Sequence, residues 1–387
     1  MMLDRRDFVL RDDVIFLNHG SFGACPRVIL DHQRTWIDRL EQQPVLYFRE
    51  IMHLMQHARM TLAEYFGTRR ENLVYVANAT YGVSLAAQAF GQMLQVGDEI
   101  LTTDHEYGAC DRAWNRYAVE KGAKVVRASV PMPAPSQNDI VELIWRLVTP
   151  RTRLLFISHI TSPTGLRMPV EELCRRCREA GIITVIDGSH VPGHLPLNLS
   201  ELDADFYTGN CHKWMCTPKG SAFMWTSDTY RDVLPPLVVS WGAQIPTVGD
   251  GPFVDENEFL GTRDHSPFLS IPFALEWMHS HNWEAVQARC RALTCQGVDM
   301  LCVIDGIRSI REEGADPLLQ LGTVLLPRNV DVLAMKTWLY DERHIEVVVH
   351  RWLDTPMLRF SVHAHTSKAD IELLATAVRE YLVSLPS

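Results

Sequence analysis

Four short stretches of this sequence end an apolar run with groups able to do chemistry: Ala79-Thr80, Asp104-His105-Glu106-Tyr107, Asp187-Gly188-Ser189-His190 and Asn210-Cys211-His212-Lys213. Lys213 sits between Cys211 and Trp214. Partial desolvation there would lower its pKa and free the amine for imine formation, although a loop lysine is more commonly a solvated surface residue. Asp187 closes the apolar run ITVID. A carboxylate in that place is costly unless paired. A protonated pyridine-type nitrogen would pair with it, and a ring that keeps such a proton is an electron sink; capping the next segment is the competing use. Ala79 and Thr80 open a helical pattern, where backbone N–H groups and a hydroxyl can hold a phosphate, or Thr80 can serve as an ordinary N-cap. Tyr107 can stack on a flat ring or simply cover the core. His212 can reach a phosphate or a substrate. Each signal is ambiguous alone, but the order of phosphate turn, aromatic, Asp-x-x-His and His-Lys is far less so.

Those groups need a frame. From about residue 70 to 230, seven β-rich runs (LVYVAN, EILTT, KVVRAS, RLLFIS, ITVID, ADFYTG and SAFMWT) alternate with helical patterns such as VEELCRRCREAG. The alternation predicts a mainly parallel sheet covered on both faces, with ligands at the C-terminal strand ends. ADFYTG and SAFMWT are too close for a crossover helix, so an antiparallel neighbour is expected there. Helical patterns over 28–43 and 48–66 are separated by Pro44. Residues 231–270 read as loop, rich in Pro and Gly, and able to form a large site wall. A long helical pattern near Leu269 leads into a smaller C-terminal α+β unit containing VLLP, IEVVVH and MLRFSV. The expected division is an N-terminal segment (1–25), a large α/β domain (26–270), and a connecting helix with the small domain (271–387).

Composition narrows the function. The chain has 387 residues, 47% hydrophobic and 22% charged, with a net charge of −10. That size allows a large core and two domains. The acidic balance argues against nonspecific nucleic-acid or anionic-membrane binding. No run of about twenty apolar residues suggests a span, and MMLDRRDFVLRDD lacks the apolar core of a signal peptide. Nine scattered cysteines read as free thiols in a reducing cytoplasm. The Cys174-x-x-Cys177 pair lies in a helical pattern with no second ligand pair, so no metal is expected. No G-x-G-x-x-G follows the first sheet strand, which argues against dinucleotide binding.

The motifs LNHGSFGACP, TTDHEYGA, SHITSPTG, DGSHVPG, FYTGNCHKW, PKG and GTRDHSPFLSIP together resemble the class V aminotransferase superfamily of fold-type I pyridoxal-5′-phosphate (PLP) enzymes, and within it the isopenicillin N epimerase-like group. The resemblance covers nearly the whole chain. It implies an α/β fold with a seven-stranded central sheet, a homodimer, and PLP held as an imine on Lys213, which then shuttles the substrate Cα proton. Asp187 would pair with the pyridinium nitrogen and His190 with the ring 3-oxygen. Ala79 and Thr80, aided by Asn210 and His212, would hold the phosphate. Tyr107 would stack on the ring, with His105 competing for that place. Thr262 would reach the phosphate of the neighbouring subunit. Arg359 would clamp the substrate α-carboxylate, while Asn18, His19 and Gly20 of the N-terminal segment would line the substrate side of the site. The implied reaction is epimerisation at the α-carbon, needing a second proton donor such as Tyr107 or His19. Cleavage of a C–S bond in an S-substituted cysteine, transamination and decarboxylation are alternative branches, and a PLP-binding protein without catalysis is the alternative of another class. A cysteine desulfurase needs a nucleophilic Cys shortly before the carboxylate arginine; here the last cysteine is Cys302.

Overall fold

The computed structural model describes residues 3–243, 249–312 and 318–385. Its central sheet is built from β2 (Leu73–Val76), β3 (Glu99–Thr103), β4 (Lys124–Ala128), β5 (Thr152–Ser158), β6 (Ile183–Asp187), β7 (Phe206–Asn210) and β8 (Ala222–Thr226), preceded in the chain by the short β1 (Ile15–Phe16). The seven strands lie in the order β2-β8-β7-β6-β5-β3-β4. All neighbours are parallel except β8, which runs antiparallel to both β2 and β7. The expected antiparallel neighbour is therefore β8. Strands such as β2 and β7 are buried along their whole length, as continuous apolar runs require when helices cover both faces.

Local signals explain the helices that carry site groups. Asn78 caps the helix Ala79–Met93, its side chain accepting from the Tyr81 N–H. Within that helix, a Cβ on Gly82 would come within 2.4 Å of the Thr208 hydroxyl, so the helix can approach β7 only because that residue is glycine. The helix Val170–Ala180 ends at Gly181 with φ 67°, a left-handed cap that glycine adopts freely. Cys174 and Cys177 lie on its buried face, where burial pushes the Cys177 thiol up to about 12. They pack as small apolar groups.

Residues 231–270 are more ordered than their composition suggests. They include the helices Pro252–Glu258 and Ser266–Leu269, while Pro246 lies outside the described residues. The first of these helices hides from a hydrophobic pattern because it buries Asp255, Asn257 and Glu258. The long helical pattern that follows is two helices, Ile271–Ser280 and Trp283–Cys302, broken where Asn282 takes φ 49°.

The C-terminal sheet has β9 (Arg308–Ser309), β10 (Leu321–Leu325), β12 (Val348–Trp352) and β13 (Thr355–Ser361), in the antiparallel order β12-β13-β10-β9. It shares an apolar cluster with the helices Trp283–Cys302 and Lys368–Val383. The N-terminal segment is tied to this unit: β1 pairs in parallel with β11 (Ile345–Glu346), and the Ser361 N–H donates to the Leu17 carbonyl at 2.7 Å. Among the described residues, no helix is long and apolar enough to cross a membrane.

Candidate active site

The register of neighbouring strands brings the predicted groups to one sheet edge. Ser158 at the end of β5 lies opposite Asp187 at the end of β6, and Asp187 lies opposite Thr208 on β7. Two residues beyond Thr208, β7 ends at Asn210, and the turn after it carries His212 and Lys213. The result is a cavity of about 410 Å³, lined among others by Gly20, Thr80, Tyr107, Asp187, Lys213 and Arg359. That volume suits a small cofactor with a substrate.

Lys213 is desolvated. Burial lowers its amine to about 8, against opposition from the negative charge of Asp187, while Arg359 adds to the lowering. Its Nζ lies 3.3 Å from His190 Nε2. Asp187 is only 3% exposed. One of its oxygens accepts from the Ser189 N–H at 2.9 Å and from the Ser189 hydroxyl. The other faces the Cys110 thiol at 3.6 Å. Carboxylate and amine are thus held in one cavity, as an imine site with an electron-sink ring would need.

At the helix end of the cavity, the Ala79 N–H donates to Asn210 Oδ1 at 2.9 Å. His212 Nδ1 donates to the Ser221 carbonyl at 2.8 Å, and burial pushes the ring down to about 4. Opposite, Arg359 projects from β13. Its guanidinium donates to the Ser162 carbonyl and, at 3.4 Å, to the Ser21 hydroxyl. Burial lowers Arg359 to about 10, and its Nε has no hydrogen-bond partner among the described residues. A buried guanidinium with an orphaned donor and no carboxylate ion pair facing a cavity is strongly biased toward an anionic ligand.

Other predicted residues fall elsewhere. Tyr107 is 47% exposed and lines the cavity. His105 does not: it is buried, 2.9 Å from both the Thr164 hydroxyl and the Val130 carbonyl, with its ring 4.3 Å from that of Trp352. Of the N-terminal trio, Gly20 lines the cavity. Asn18 instead donates to Glu346 at 2.9 Å. His19 lies fully buried behind the lysine, its Nε2 3.0 Å from the Lys213 carbonyl and its Nδ1 3.2 Å from His365. Thr262 is exposed and outside the lining.

Sequence reasoning missed Ser21, Phe22, Ser158, Ser162, Ser189 and Cys110. Ser189 had a readable signal, since Asp-x-Ser is a local turn pattern in which the carboxylate takes the N–H two residues on. Glu106 was also unassigned. It accepts from the Thr103 hydroxyl (2.6 Å), the Ser158 N–H (2.9 Å) and the Ser158 hydroxyl (2.6 Å), and desolvation raises it to about 7 despite those donors.

A lysine amine, a buried carboxylate, a helix N-terminus and an unpaired arginine around one cavity fit PLP and an amino-acid carboxylate. The aminotransferase class-V family profile matches residues 43–374. The chain belongs to that family and is a PLP-dependent enzyme. Among curated relatives, the isopenicillin N epimerase of Amycolatopsis lactamdurans is 33% identical, covering 97% of each chain. The probable chloroplastic L-cysteine desulfhydrase of Arabidopsis thaliana is 27% identical over 87% of this chain and 75% of that one. Among solved structures, a cysteine desulfurase from Escherichia coli superposes with a TM-score of 0.81 at 22% identity, covering 99% of this chain and 98% of that one.

Proposed function

We propose that this enzyme inverts the α-carbon of an amino-acid-like substrate, in the manner named for isopenicillin N epimerase. One observation carries this reading: 33% identity to that enzyme runs through 97% of both chains, so it spans the sheet, the lysine turn and the β13 arginine together. When bound, PLP supplies an electron sink for charge developing at the substrate α-carbon.

The chain's own residues supply the rest. Lys213 would hold the cofactor through its amine and would be the base beside the substrate α-carbon; an amine lowered to about 8 is suited to accept a proton near neutral pH. Asp187 would pair with the ring nitrogen and keep its proton, and Ser189 orients that carboxylate. His190 would sit beside the ring 3-oxygen, its single N–H shared between that oxygen and the nitrogen at the Lys213 position. The N-terminus at Ala79 and Thr80, with Asn210 and His212, would hold the phosphate. Arg359 grips the α-carboxylate and so orients the α-carbon toward Lys213, with Gly20 beside it. Tyr107, which lines the cavity and is half exposed, would stack on the ring and would be the group able to return a proton from the side opposite Lys213. His19 is the weaker candidate for that step because its two ring nitrogens face the Lys213 carbonyl and His365. The enzyme acts as a cytoplasmic homodimer, with Thr262 reaching the partner's phosphate site.

The second reading is a C–S lyase acting on cysteine or an S-substituted cysteine, favoured by the desulfhydrase relative. A panel of isopenicillin N, common L-amino acids and S-substituted cysteines in deuterated water separates the two. Deuterium at Cα with loss of optical purity and an intact carbon skeleton supports epimerisation. Pyruvate with ammonia overturns it in favour of the lyase.

A further inference from the structure

We propose that Trp214 is a positioning residue that locks His190 in one tautomer, so that the imidazole always donates toward the basic atom at the Lys213 position. The Trp214 indole Nε1 lies 3.2 Å from His190 Nδ1. An indole N–H can only donate, so Nδ1 must be the bare, accepting nitrogen, and a neutral ring then carries its hydrogen on Nε2. That nitrogen is the one 3.3 Å from Lys213 Nζ. An ammonium has no lone pair to accept such a bond, whereas a free amine has one. The contact therefore favours the nucleophilic form of the lysine.

The indole is itself held in place. Trp214 is fully buried, with the His194 ring at 4.1 Å, His19 at 5.3 Å and His363 at 6.0 Å. His194 is fixed too: its Nδ1 donates to the His190 carbonyl and its Nε2 accepts from the Gln320 N–H at 2.8 Å. Burial lowers His19, His190, His194 and His363 alike, which favours the neutral form of each ring. The charged or titratable groups acting on Lys213 are Asp187, Arg359 and Cys110; those acting on His190 are Lys213, Arg359 and His194.

This inference rests on the cofactor site and not on which reaction follows. A donor aimed at a basic atom stabilises its unprotonated form, so removing the lock should raise that atom's pKa. The visible absorption band of the holoenzyme, titrated with pH, reads this directly. Trp214→Phe should raise the apparent pKa by about one unit, tenfold in proton affinity. In a His190→Gln background, where an amide donates without any tautomer to choose, adding Trp214→Phe should change nothing further. No shift, or an equal shift in both backgrounds, overturns the proposal. Should Trp214→Phe fail to fold, nitrogen-15 NMR of histidine-labelled holoenzyme against His190→Gln gives the answer without it. The resonances lost with His190 should be those of a neutral Nε2–H ring, and an Nδ1–H ring or an imidazolium would overturn the assignment.

Discussion

At the residue scale, the site gathers buried ionisable groups around one cavity. Lys213→Ala should abolish the imine chromophore, and a retained visible band after dialysis would refute the attachment. In the cofactor-free protein, the rate of PLP capture should rise with pH and level off above about 8, where the Lys213 amine is mostly unprotonated. A surface lysine would instead continue to gain reactivity up to about 10.4. Stopped-flow absorbance against pH distinguishes the two curves. Arg359 has an unpartnered Nε and no carboxylate ion pair among the described residues. Arg359→Ala should therefore raise KM for α-carboxylate substrates about tenfold or more, from a charge-assisted pair of about 1.5–3 kcal/mol. An unchanged KM would place the carboxylate elsewhere.

At the element scale, two features fix segments against their neighbours. Arg59 is fully buried and paired with Asp250 and Glu258, both also fully buried on the side-chain level. These acidic residues belong to the 249–263 segment that carries Thr262. Asp250 would keep Arg70 at 3.0 Å, but Glu258 would lose its ion pair, so Arg59→Met should destabilise the fold by about 3–5 kcal/mol, read from the urea midpoint at constant slope. The second contact is steric. Gly23 has φ 71°, and a Cβ there would lie 2.1 Å from the His212 carbonyl. Gly23→Ala should push the N-terminal segment off the lysine turn and weaken PLP retention, which equilibrium dialysis measures. The loop reading of residues 231–270 failed for a related reason. The helix Pro252–Glu258 is stabilised by polar burial against Arg59, and a hydrophobic pattern does not register that.

At the scale of the whole molecule, the proposed dimer makes its sharpest prediction at Thr262. Thr262 is exposed and absent from this chain's own cavity lining, which accords with a role across an interface. Light scattering should report a dimer. Thr262→Ala should weaken PLP binding roughly tenfold, the scale of one hydrogen bond to a charged group. Mixing Thr262→Ala with Lys213→Ala chains should restore tight binding, because one site in each mixed dimer regains both residues. No recovery on mixing would mean that Thr262 acts within its own chain or not at all.

The seven strands, their parallel core and the identity of Lys213 and Asp187 as strand-end groups were legible from residue order alone. Apolar runs and turn residues are local signals, and in an open α/β sheet the strand ends converge by topology. Contacts between residues far apart in the chain were not legible. Only the folded chain shows that Tyr107 and not His105 faces the cavity, that Gly20 lines it while His19 backs the lysine, and that Arg359 meets Ser162 and Ser21. The tautomer of His190 belongs to the same class. It depends on where an indole nitrogen 24 residues away comes to rest, and such a meeting is decided by packing rather than by any pattern along the chain.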